Sequence, residues 1–246
     1  MTIENKEPEP SSYYDEEIVY QSDKGSGLFI DGIDYNRNAY LTHWHDGRGF
    51  VIYPTGYKMA ADRLIQLVSN EPHNADFLVF PIVFLYRQYL ELRLKQLILD
   101  GSRLIGISAD FPKTHRIDLL WENCKPVLHK IKLDNDDEVA WKVAEAIGTI
   151  EACILEFGHI DPTSMAFRYP VDKELVPFLH DLDTIDIHHF GESMGNVASY
   201  LDAVASALSF SLGESVTMAD LGFNDKLSED FRKHKWLTRQ QKQTGD

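Results

Sequence analysis

Residues 75–100 read ADFLVFPIVFLYRQYLELRLKQLILD, and Gly101 follows them. After Pro81 nothing in the stretch breaks a helix, and the glycine offers a C-terminal stop, so a helix is expected over Ala75–Asp100. Its first half, FLVFPIVFLY, is apolar on every side and is expected at the centre of the core. The second half changes character: Arg87, Glu91 and Lys95 recur at intervals of four and share one face of an otherwise leucine-rich helix.

Towards the C-terminus the pattern stays helical. A helix is expected over Arg116–Lys132, bent at Pro126, and another over Asp136–Phe157, opened by Asp136 and Asp137 and ended by Gly158. Within Thr184–Leu212, Met194, Val197, Leu201, Val204 and Leu208 alternate at three and four residues, the seam of a helix that faces another helix. A last helix is expected over Asp225–Gln240. Towards the N-terminus, Met59, Leu64, Ile65, Leu67 and Val68 suit a short amphipathic helix over Tyr57–Asn70. Between Leu28 and Tyr57 the apolar clusters are short (LFI, then FVIY) and are broken by Asp31-Gly32 and by Asp46-Gly47-Arg48-Gly49, which reads as a hairpin or irregular β element. The first 24 residues hold seven acids against two lysines and have no periodic apolar face. The expected fold is therefore mainly α, a helical bundle with a small N-terminal β or irregular element. Its parts are an acidic flexible arm (1–27), the β or irregular element (28–57), the bundle (58–224) and a basic C-terminal helix or tail (225–246).

Composition narrows the class. A chain of 246 residues, 43% hydrophobic and 26% charged, can bury a substantial core and is not low-complexity. The longest apolar run, Phe77 to Tyr86, is about half of what a bilayer span needs, so no membrane association is expected. MTIENKEPEP lacks the apolar stretch of a signal peptide, and Cys124 and Cys153 lie far apart within apolar helical patterns. A cytoplasmic protein with two free, buried thiols is the expectation. The net charge of −15 opposes broad binding to nucleic-acid backbones. Against that background Lys226, Arg232, Lys233, Lys235, Arg239 and Lys242 face only Glu229 and Asp230, a local +4.

Three patterns have the residue types that chemistry needs: Arg87-x3-Glu91-x3-Lys95, then Thr114-His115-Arg116, then Phe167-Arg168-Tyr169-Pro170-Val171-Asp172. If the first two helices are antiparallel neighbours, His115 begins its helix within reach of Lys95, and a cation, a carboxylate and an imidazole share one cleft, as acid–base chemistry requires. The alternative is structural: an i,i+4 ion-pair ladder, with His115 at a helix start. His43 and His45 would share a face only on a strand and have no evident third ligand, while His188 and His189 diverge on a helix. No metal site is expected, and no cofactor: Gly-rich phosphate loops are absent, as is a Gly-x-Ser-x-Gly elbow.

The succession FPIVFLYRQYLELRLKQLI, HRIDLLW, FRYPVD, spread over roughly residues 75–208, resembles bacterial proteins related to the HEPN superfamily. The resemblance implies a helical bundle that pairs as a homodimer, in a defence or toxin–antitoxin setting, with a protein partner from the same system. It also implies action on RNA, since active members are metal-independent RNA endonucleases. Their usual motif, an Arg followed four to six residues later by a His on a late helix, is matched in spacing only by Arg37 and His43, with Asn38 beside the arginine. That pair falls before the bundle, and the late helix has His188 and His189 without a suitably placed arginine. The expected cleft is therefore lined by Arg87, Glu91, Lys95, His115, Arg168 and Asp172. There His115 moves the proton, Lys95 and Arg168 hold phosphate, Glu91 orients a cation and Asp172 supports Arg168. The competing expectation is a non-catalytic dimerisation or regulatory scaffold in which the same residues are structural ion pairs. An open cleft at Lys95 and His115 favours the first; burial in satisfied pairs favours the second.

Overall fold

The computed structural model describes residues 29, 32, 34–39, 41, 49–108, 111–130 and 137–212, with no side-chain description for 35, 49, 130 and 137–146. The chain divides into two units, Met1–Tyr40 and Leu41–Asp246. In the first, a 3-10 turn spans Tyr35–Arg37, and the Asn38 side chain closes a local loop by accepting from the Gly32 amide at 2.8 Å and donating to its carbonyl at 2.9 Å. In the second, the helices are α1 (Gly49–Asn70), α2 (Ala75–Leu104), α3 (Ile117–Lys130), α4 (Asp137–Ile160) and α5 (Ile187–Ser211). The described residues contain no strand, so the mainly α expectation holds and the β reading of FVIY within 28–57 does not. The expected helix at Asp225–Gln240, the tail at 225–246 and the arm at 1–27 lie outside the described residues.

The β reading fails at a definite place. FVIY, Phe50–Tyr53, is the opening of α1, because its apolar positions continue in helical register through Tyr57, Ala61, Leu64, Ile65 and Val68 onto α2. A four-residue apolar run has no period of its own, and the packing stripe that follows it decides. Pro54 sits in the second turn of this helix and takes from it the amide that would donate to the Phe50 carbonyl.

Two glycines read as stops are interior. α2 passes through Gly101, and the left-handed residue that ends it is Gly106 at φ 71°. Gly106 N–H donates to the Arg103 carbonyl at 3.2 Å and Ile107 N–H to the Ser102 carbonyl at 2.9 Å, a Schellman closure that satisfies the last carbonyls. α4 likewise passes through Gly158, whose missing side chain has another purpose: a Cβ there would lie 3.2 Å from Asp118 Cβ of α3. α3 and α5 occupy nearly the expected spans, and Asp186 opens α5 by accepting from the His188 and His189 amides, both at 3.0 Å.

α2 is the central element and packs against α1, α3 and α5. The predicted α5 seam is buried throughout: Met194, Val197, Leu201, Val204 and Leu208 all belong to the core. Burial along α2, however, follows expectation only in part, for Ile82, Val83 and Tyr86 of its apolar half are in the core. In its apolar half Phe77 is 77% exposed and Phe80 46%, whereas Arg87, Glu91, Arg93, Lys95 and Gln96 are all buried. The charged half is covered from several sides. Tyr89 Oη donates to Asp202 Oδ1 of α5 at 2.8 Å, Arg93 pairs with the same carboxylate, and Arg87 reaches the segments before α3 and after α4. One turn earlier, Tyr86 Oη donates to Asp62 of α1 at 2.5 Å.

Candidate functional site

A helix turn separates Arg87 from Glu91 and Glu91 from Lys95, so α2 stacks cation, anion and cation along one line. Arg87 is completely buried and satisfied by three segments. Its Nη1 lies 3.4 Å from Glu91 Oε2, its Nη2 donates to the His115 carbonyl at 2.9 Å, and its Nε donates to the Asp161 carbonyl at 3.2 Å. Asp161 Oδ2 is a further 3.5 Å ion-pair partner of that Nε. Burial pulls the Arg87 guanidinium below its ordinary range, the Asp161 and Glu91 carboxylates oppose the shift, and the Arg168 charge adds to it.

Lys95 is also buried. Its ammonium donates to Glu91 Oε1 at 3.0 Å and stands 5.2 Å from the centre of the Phe111 ring. His115 is different: its side chain is 71% exposed, while Nδ1 lies 2.8 Å from the same Glu91 Oε1. A carboxylate only accepts, so Nδ1 is the donor and Nε2 is directed away from the shared oxygen. Two buried cations and two buried carboxylates (Arg87, Lys95, Glu91, Asp161) balance one another without a charge on the imidazole.

Arg168 is exposed and lies across two rings, 5.7 Å from the centre of Phe84 and 5.3 Å from that of Tyr169. Its Nη1 reaches the Ser164 carbonyl at 3.5 Å. Asp172 does not carry the role expected of it. Its Oδ1 accepts from the Glu174 and Val176 amides, both at 2.9 Å, and so holds the turn that contains Leu175 at φ 62°. The partner of Arg168 is thus an aromatic pair, because a carboxylate so close in sequence is used by its own loop.

The structure therefore brings Arg87, Glu91, Lys95 and His115 into one cluster, places Arg168 near enough to act on Arg87, and leaves Asp172 to its turn. Arg87 and Lys95 cannot touch a ligand from these positions; they hold others in place. The alternative pair is not assembled in what is described: Arg37 is exposed and pairs with Asp34 at 3.3 Å in the first unit, and His43 and His45 lie outside the described residues.

Asp161 was not anticipated. Its Oδ1 accepts from the Met165 and Ala166 amides at 2.8 and 3.1 Å, so the carboxylate that faces Arg87 also shapes the turn leading to Arg168. The Asp161-Pro162 dipeptide after α4 signals a turn, but nothing local points to an arginine 74 residues away. Among the described residues no group of three or more His, Cys, Asp or Glu is placed to hold a metal, and no helix is long and apolar enough to cross a membrane. Cys124 is buried with its thiol pushed up to about 12 by burial, and Cys153 is half-buried, its thiol raised by burial and by Glu156.

Together these features define a helical protein with an electroneutral buried charge cluster that presents one imidazole to solvent. No family model, curated protein or solved structure matches the chain.

Proposed function

We propose that this chain is a HEPN-like protein of a bacterial defence or toxin–antitoxin system that acts on RNA through His115 and Arg168. The observation that carries the reading is the carboxylate–imidazole pair: buried Glu91 fixes an exposed His115 ring by its Nδ1. A neutral imidazole held this way offers its Nε2 lone pair to a hydroxyl such as the RNA 2′-OH, and no metal is required. Arg168 is the exposed cation that would take phosphate, while Arg87 and Lys95 position Glu91. The same reading includes a cytoplasmic homodimer and a protein partner from the same system.

A second reading rests on a specific observation. Arg87, Glu91 and Lys95 are all buried in mutual pairs, and the chain is strongly acidic, which suits a non-catalytic dimerisation or regulatory scaffold. One experiment separates the two. The purified protein is incubated with a mixed RNA pool in EDTA beside its His115→Ala, Arg168→Ala and Arg37→Ala variants. Cleavage or binding lost in His115→Ala and Arg168→Ala but kept in Arg37→Ala supports the RNA reading. Wild-type protein that neither cleaves nor binds RNA leaves the scaffold reading, and loss only in Arg37→Ala moves the site to the N-terminal pair.

A further inference from the structure

The last turns of α4, the first turns of α5, the connection between them and Val83 of α2 line a cavity of about 280 Å³ that is open to solvent. Its apolar wall is formed chiefly by Phe157, Phe167, Phe190 and Met194. The Phe157 and Phe190 rings meet edge to face, with centres 6.0 Å apart, so the wall offers ring faces and ring edges together. The space equals about nine water molecules, the small end of ligand-sized pockets, and matches a bicyclic ring better than an extended chain.

Glu156 and Asp186 line this cavity together with the His189 imidazole and the Thr184 and Ser193 hydroxyls, and neither lysine nor arginine does. Glu151 of α4 is paired with Lys125 at 2.7 Å, whereas no described cation lies within ion-pair distance of Glu156. The start of α5 does not invite an anion, because Asp186 already occupies its free amides and places a full negative charge over its positive end. Those same hydrogen bonds hold the Asp186 carboxyl below its ordinary range.

We propose that this cavity binds a small aromatic cation, its ring against the phenylalanines and its ammonium group towards Glu156 and Asp186. The site is distinct from the His115 surface, and the inference does not depend on action on RNA.

Three probes share one ring and differ in charge: tryptamine, indole and indole-3-acetate, titrated calorimetrically into the full chain. Tryptamine should bind at least about tenfold more tightly than indole-3-acetate, and Glu156→Gln should weaken tryptamine by about tenfold while leaving indole unchanged. Glu156 is exposed, so the substitution does not disturb the core. Location is read at Cys153, which lines the cavity and is the accessible one of the two thiols. Tryptamine should slow its alkylation by iodoacetamide at mildly alkaline pH. Equal affinity for tryptamine and indole-3-acetate would overturn the proposal, as would unchanged tryptamine binding in Glu156→Gln, binding without protection of Cys153, or no binding of any probe.

Discussion

A carboxylate out of water needs cations and donors on both oxygens, and Glu91 has Arg87 on one and Lys95 with His115 on the other. Removing one charge from such a cluster leaves another uncompensated in a place that water cannot reach. Arg87→Met should therefore destabilise the fold by ~3–5 kcal/mol in urea titrations, since it takes the cation from Asp161 and one of two from Glu91, which keeps Lys95, and frees the His115 carbonyl. His115→Ala should cost less than about 1 kcal/mol, because its ring is largely in solvent and Glu91 keeps two cations. A His115→Ala variant that unfolds as readily as Arg87→Met would show the imidazole to be part of the scaffold. Part of this was legible from sequence: the i,i+4 stripe on α2 predicts the line of charges, and His115 next to a helix start predicts its approach. Asp161 was not, because a tertiary ion pair leaves no trace in local spacing. Nor was the burial of Lys95, which follows from what covers α2 and not from α2 itself.

At the scale of elements, α2 is fastened by phenols on two turns. Tyr86 donates to Asp62 of α1 and Tyr89 to Asp202 of α5, and burial, followed by those carboxylates, raises both phenols above their ordinary range. A folded-state value above the unfolded one, about 10 for tyrosine, means that the stabilisation is complete below pH ~10 and declines as pH rises beyond it. Stability followed by denaturant midpoint should thus begin to fall near pH ~10, and the Tyr86→Phe, Tyr89→Phe double variant should be less stable at neutral pH yet show a shallower alkaline decline. An identical slope in the double variant would assign the decline to other groups. These fastenings also explain which elements the sequence revealed. The α5 seam shows its period because one face meets α2 and the other meets water, whereas the apolar start of α2 misleads because hydrophobicity alone does not say which neighbours arrive. Gly101 and Gly158 mislead for a related reason. A glycine marks a helix end only when its backbone turns left-handed, as Gly106 does, and serves equally well where another element comes close.

For the whole molecule, the decisive quantity is how an acidic chain holds a polyanion. With a net charge of −15, the long-range field repels RNA, so any binding must come from a few local cations. Near the proposed site the exposed candidates are Arg168 and Lys113, since Arg116 is engaged with Asp118. One or two phosphate contacts to single-stranded RNA imply a slope of log affinity against log salt of about −0.7 to −1.4. Fluorescence anisotropy of a labelled single strand over a salt series measures it. Arg168→Ala should flatten the slope by about one contact, roughly 0.7, and neutralising Arg232, Lys233 and Lys235 together should leave it unchanged. A slope steeper than about −3, abolished by the triple neutralisation, would place the RNA contact on the basic C-terminal stretch. The Glu91–His115 pair would then be a structural feature of the bundle, and the scaffold reading would carry the function of the helices.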